Sequence, residues 1–149
     1  MDEVRFVAIL VLACGCIPKV SMIIETRTPQ GDLIERATIT NSDSNGRAFT
    51  VNTTGSIVVT ASADDSNGLQ RLEITGGRTC NQASGGTGTA TYADFAALDP
   101  NLPGQHPTSS SFTHTSPLQC TGGSVTASVN VCATNTKQSK SCTPNATFK

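Results

Sequence analysis

An antiparallel β-sandwich is the fold this sequence predicts, and three observations predict it. Short runs alternate apolar and polar residues at a period of two, clusters of Gly, Asn, Asp and Ser separate them, and the runs lack helical spacing. The chain has 149 residues, enough for one domain with a real core and too few for two ordinary ones.

The clearest run is Val125 to Val131, in which Val125, Ala127, Val129 and Val131 share one face and Thr126, Ser128 and Asn130 the other. Ser56 to Ser62 repeats the pattern with Ile57, Val59 and Ala61 inward, and Leu69 to Thr75 sets Leu72 and Ile74 against Arg71 and Glu73. Between these two lies Asp64-Asp65-Ser66-Asn67-Gly68, whose residue types favour a turn. Val20 to Thr26, Glu35 to Thr40, Arg47 to Val51, Gly86 to Tyr92 and Cys142 to Phe148 complete about seven or eight strands, the number a sandwich needs.

Residues 56–76 resemble the B strand, BC loop and C strand of bacterial immunoglobulin-like (Ig-like) domains: an alternating Val/Thr/Ala strand, an Asp-rich turn with Gly, and a strand ending in Gly-Gly, here Gly76-Gly77. Ser124 to Thr134, followed by a polar turn and a last strand, resembles the F–G hairpin of the same family. The resemblance implies an Ig-like sandwich and leaves function open.

Residues 78–120 depart from the compact family pattern as a long, loop-rich insertion. Ala93 to Leu98 has helical propensity and is ended by Asp99-Pro100, which predicts a helical turn or two. From Asn101 to Cys120 the sequence reads as a loop, and a loop of that length in a compact domain is a natural place for specificity.

The first segment reads as an address rather than as part of the domain. Phe6 to Ala13 is an uninterrupted apolar run, too short to span a bilayer and suited to an export signal, although it also fits a buried core strand. Val11-Leu12-Ala13-Cys14 resembles the lipobox of bacterial lipoprotein signal peptides, which implies cleavage before a Cys whose sulfur carries a diacylglyceryl group. Cys14 is the first choice of acceptor, because Val11 stands three residues before it. Cys16 is the second, because cleavage there leaves an even number of cysteines. The predicted organisation is an export signal over 1–16 and an Ig-like domain over 17–149.

An exported chain keeps Cys80, Cys120, Cys132 and Cys142, which suggest two disulfides with three pairings open. The preferred set joins Cys132 to Cys142 across the last hairpin and Cys80 to Cys120 at the two ends of the insertion. The alternation places Cys132 on the polar face, away from the core. Zinc is disfavoured, since no Cys-x-x-Cys pair occurs.

Charged residues make up 14% of the chain, with Lys+Arg at 10 against Asp+Glu at 11, and no basic cluster suggests nucleic acid as a partner. The two histidines, His106 and His114, both lie in the insertion and read first as loop residues, with an acid–base or metal role as the rival. Asp64 and Asp65, with Asp43, are weak calcium candidates, and turn chemistry is the simpler account. No Gly-x-Ser-x-Gly elbow and no phosphate loop opening onto a helix is present.

These features predict a non-enzymatic cell-envelope lipoprotein without a cofactor. It is held to the membrane by its lipid, and its Ig-like module presents loops to a protein or glycan, or serves as a spacer. One rival is a subunit of a surface assembly, a homo-oligomer joined by strand addition through 17–26. The other is a small secreted hydrolase or metal-binding protein using His106 and His114.

Overall fold

The computed structural model describes residues 16–82, 89–92 and 97–149. The leader, including Cys14, lies outside the described residues, as do Ala93 to Ala96 of the stretch expected to be helical. Among the described residues eleven strands are formed: β1 (Lys19–Arg27), β2 (Leu33–Thr40), β3 (Arg47–Phe49), β4 (Ser56–Asp64), β5 (Leu69–Gln82), β6 (Thr89–Tyr92), β7 (Ala97–Leu98), β8 (Ser109–Pro117), β9 (Gly123–Asn135), β10 (Lys140–Cys142) and β11 (Ala146–Phe148). One sheet has the order β2-β1-β4-β8, the other β3-β11-β9-β5-β6, with β10 beside β9 and β7 beside β5.

All pairs are antiparallel except β3 with β11. Chain connections from β4 to β5 and from β8 to β9 cross between the sheets. The strand path is compatible with an Ig-like sandwich.

Period-two alternation is what buries one face of each sheet. Val20, Met22 and Ile24 of β1, Ile57, Val59 and Ala61 of β4, and Val125, Val129 and Val131 of β9 are all buried between the layers. Near one end Phe49 stacks on Phe148 with ring centroids 5.4 Å apart, joining the parallel pair β3 and β11.

Gly76-Gly77 does not end β5, which runs on to Gln82. Gly76 sits opposite Val129, and a Cβ there would lie 2.1 Å from the Ser128 carbonyl oxygen, so only glycine lets β9 approach this closely. At the start of β5 a register shift between Leu69 and Arg71 inserts an extra residue, which brings both Leu69 and Leu72 into the core.

Three expectations change. Ala97 and Leu98 belong to a short strand on Ile74 and Glu73, not to a helix. Nine of the twenty residues expected to form a loop from Asn101 to Cys120 are strand β8, in register with β4 over nine pairs and thus part of the sandwich itself. Within the chain, β1 is hydrogen-bonded on both edges, to β2 and to β4. Strand addition through 17–26 would have to displace one of them.

Candidate binding surface

The segment between β7 and β8 carries the chain from one sheet to the other and builds a cleft as it goes. Asp99 N–H donates to the Leu72 carbonyl at 3.0 Å, continuing the β7 contact with β5. The Asp99 carboxylate is buried, and it accepts from Asn101 N–H at 2.9 Å and from the Ser110 hydroxyl. Leu102 then drops into the core, and the return leg lies on the 64–68 turn, with Leu69 N–H donating to Pro107 O and Asp65 N–H to Thr108 O.

This path leaves an open cleft of about 460 Å³ with Leu72, Leu98, Leu102 and Pro103 as its apolar wall and Gln70, Arg71 and Gln138 as its polar rim. The Gln138 amide donates to Gln70 Oε1 at 2.7 Å across the rim. Arg71 is held by Glu73 at 2.7 Å, and Glu73 also takes Lys140 at 3.0 Å. Burial pushes the Glu73 carboxyl up, but its hydrogen bonds and charge contacts with Lys140 and Arg71 outweigh that and leave it below the usual carboxylate range.

Beside the cleft, the 64–68 turn between β4 and β5 is locked from within. Fully buried Asn135 donates from Nδ2 to Asp65 Oδ2 and to the Cys16 carbonyl, both at 3.0 Å, while its Oδ1 accepts from the N–H groups of Lys137 and Ser139. The other Asp65 oxygen accepts from the Asn67 backbone at 2.7 Å and from its side chain at 3.0 Å. Burial raises the Asp65 pKa, yet the hydrogen bonds from Asn135 and Asn67, with the Lys137 charge, leave it lowered overall. Gly68 closes the turn at φ +82°, where a Cβ would lie 2.6 Å from His106 O.

Two of the three calcium candidates, Asp65 and Asp43, take part in turn hydrogen bonds. Both Asp65 oxygens face hydrogen-bond donors, and Asp43 accepts from the Thr40 backbone at 2.7 Å and from its hydroxyl at 3.0 Å. Asp64 is exposed at the end of β4, opposite Lys19. Among the described residues, no group of three or more His, Cys, Asp or Glu side chains comes together as a metal site.

The two histidines occupy different environments. His106 is exposed at φ 48°, with Nδ1 3.4 Å from Leu69 O, whereas His114 lies half-buried on β8, opposite Val59.

The disulfides join Cys80 to Cys120 and Cys132 to Cys142. Cys132 points away from Val129 and Val131, as alternation requires, yet it is buried because Cys142 pairs beside it and Glu73 flanks it on β5. Cys16 is free and exposed at the entrance to β1. No family model, curated protein or solved structure matches the chain.

Proposed function

We propose that this chain is an exported, lipid-anchored envelope protein whose Ig-like sandwich acts as a non-enzymatic binding or spacer module for protein or glycan. The observation that carries the reading is the pair of disulfides tying a sandwich whose first strand begins three residues after Cys16. Disulfides of this kind fit an oxidising compartment. A thioether forms between the sulfur of Cys14 or Cys16 and a diacylglyceryl group taken from a phospholipid, and the thiol proton leaves with the phosphate headgroup.

An anchor at this point sets the direction of the module. The entrance to β1 shares its end of the sandwich with the 64–68 turn and the 135–139 turn, through the Asn135 bonds. Membrane contact at that end directs the opposite one outward: the turns at 28–32, 52–55 and 118–122, where Leu118 N–H donates to Gly55 O and Cys120 N–H to Thr53 O. The Cys80–Cys120 bridge stiffens that outward end, which suits a presenting surface.

The test is fractionation of cells making the protein with Cys14→Ser, Cys16→Ser, or both. One single substitution moves the protein from the membrane to the soluble exported fraction, and the double does the same. A membrane-bound double variant, or wild-type protein in the cytosol, overturns the reading.

A further inference from the structure

We infer that the end of the sandwich around Cys16 rests flush on the lipid bilayer, with Ile17 among the lipid headgroups and Lys19 and Lys137 on lipid phosphates. The inference rests on the lipid anchor proposed above and adds the surface that meets the membrane. The chain has no slack at this end. Residues 16–18 precede the first strand, yet their backbone is pinned by two asparagines. Asn135 Nδ2 holds the Cys16 carbonyl at 3.0 Å, while Asn41 donates from Nδ2 to the Pro18 carbonyl at 3.0 Å and accepts from Val20 N–H at 3.1 Å. An acylated Cys16 is therefore part of the folded domain, and an acylated Cys14 adds only two residues, a reach of at most about 7 Å.

The same bonds gather the neighbouring turns into one plate. Asn135 ties the entrance to the 64–68 turn through Asp65, and Thr136 joins the 135–139 turn to it, donating from N–H to Gly68 O at 3.0 Å and from its hydroxyl to Asn67 O at 2.6 Å. Ser42, Ser66 and Lys137 are exposed on these turns, far from Cys16 in sequence and brought to its end by the fold.

This plate has the chemistry of a lipid contact. Ile17 is 60% exposed, more than any other large apolar side chain among the described residues, and it follows Cys16 directly. Beside an acyl anchor such a side chain gains by leaving water for the boundary between headgroups and acyl chains. Lys19 and Asp64, cross-strand neighbours and both exposed, match the phosphate and the ammonium of a phosphatidylethanolamine headgroup. Asp65, the next carboxylate, is buried and turned onto Asn135 and Asn67, which leaves Lys19 and Lys137 in excess over Asp64. A single anchor lets a domain pivot, and these side chains hold it down.

The chain contains no tryptophan, so one introduced indole reports alone. Full-length Ser66→Trp, Ser42→Trp and Gln30→Trp are purified from membranes, checked for acylation by mass, and reconstituted into phosphatidylethanolamine–phosphatidylglycerol vesicles with acyl chains brominated near the headgroup. Emission from Ser66→Trp and Ser42→Trp shifts to the blue and is quenched several-fold more than that from Gln30→Trp, in the 28–32 turn at the opposite end. Adding Ile17→Gln, Lys19→Glu and Lys137→Glu to Ser66→Trp keeps the anchor and lowers the quenching. All of these positions are exposed, and matching circular dichroism shows each variant folded. Where Ser66→Trp fails to fold, Ser42→Trp decides, and where the triple change fails, Ile17→Gln alone replaces it and lowers the quenching. Acylated protein quenched no more at Ser66→Trp and Ser42→Trp than at Gln30→Trp overturns the inference and leaves the anchor standing. Quenching that survives the changes at Ile17, Lys19 and Lys137 does the same, whereas unacylated protein overturns both.

Discussion

Asn135 and Asp65 are 70 residues apart in sequence, yet Nδ2 of the first donates to Oδ2 of the second at 3.0 Å inside a buried site. The same Nδ2 holds the Cys16 carbonyl, so one amide fixes the entrance of β1, the turn after β4 and the turn after β9. All of its hydrogen-bonding capacity is used, which makes the polar group tolerable in the interior.

Asn135→Ala therefore leaves a buried carboxylate oxygen and three backbone groups without these partners. The expected loss is about 2–4 kcal/mol in denaturant unfolding, well above a surface substitution. Asn135→Asp sets a second carboxyl against Asp65, and its deficit relative to wild type narrows as pH falls toward 4 and the pair takes up protons. A loss within that of an exposed control such as Thr115→Ala contradicts the role given to this amide.

The lowered carboxyls set the acid side of the stability curve. Asp65 and Glu73 both hold their protons less tightly in the folded state than in the unfolded chain. Their contribution is complete above the unfolded carboxylate pKa of about 4 and is lost as pH falls through the folded values. Unfolding free energy should be level on the neutral side and decline below about pH 4. Asp65→Asn with Glu73→Gln should flatten that decline, as measured by urea titration at each pH.

Reducing one bridge should cost more than reducing the other. Cys80–Cys120 closes 40 residues and Cys132–Cys142 closes 10. In the chain-entropy model these contribute about 4 and about 2.7 kcal/mol. Replacing each pair by Ser and comparing denaturation midpoints tests the order. A larger loss at the short bridge would show that native-state packing around Glu73 matters more than loop closure.

Gly76→Ala should be among the most damaging single-methyl additions in the domain. The added carbon meets the Ser128 carbonyl, a backbone atom within the longest strand pairing of the fold, and β5 and β9 must separate to admit it. Gly77→Ala, beside it, meets nothing within 4 Å and serves as the control. Thermal unfolding should separate the two variants clearly.

How much of this was legible in the sequence follows from how each strand is buried. Strands β4 and β9 lie inside their sheets and bury one whole face, so alternation of Ile57, Val59 and Ala61, or of Val125, Val129 and Val131, marks them plainly. Strand β8 lies at an edge and presents Phe112 and His114 half-buried, so its inner positions need no apolar run, and Ser109 to Pro117 reads as a loop. Leu98 fails for a related reason: a two-residue strand is held by backbone bonds to β5 that leave no pattern in its side chains. The cleft draws on β5, β9 and the crossover, and the Asn135–Asp65 pair spans two turns. Nothing local in the sequence ties either set together.

Intact-mass spectrometry of the protein from a bacterial membrane fraction, before and after reduction, tests the central claim most directly. The account predicts a mass without the leader, increased by an acylated glyceryl group, and a gain of four hydrogens on reduction as the two disulfides open. An unprocessed, unacylated mass that does not change on reduction would contradict it.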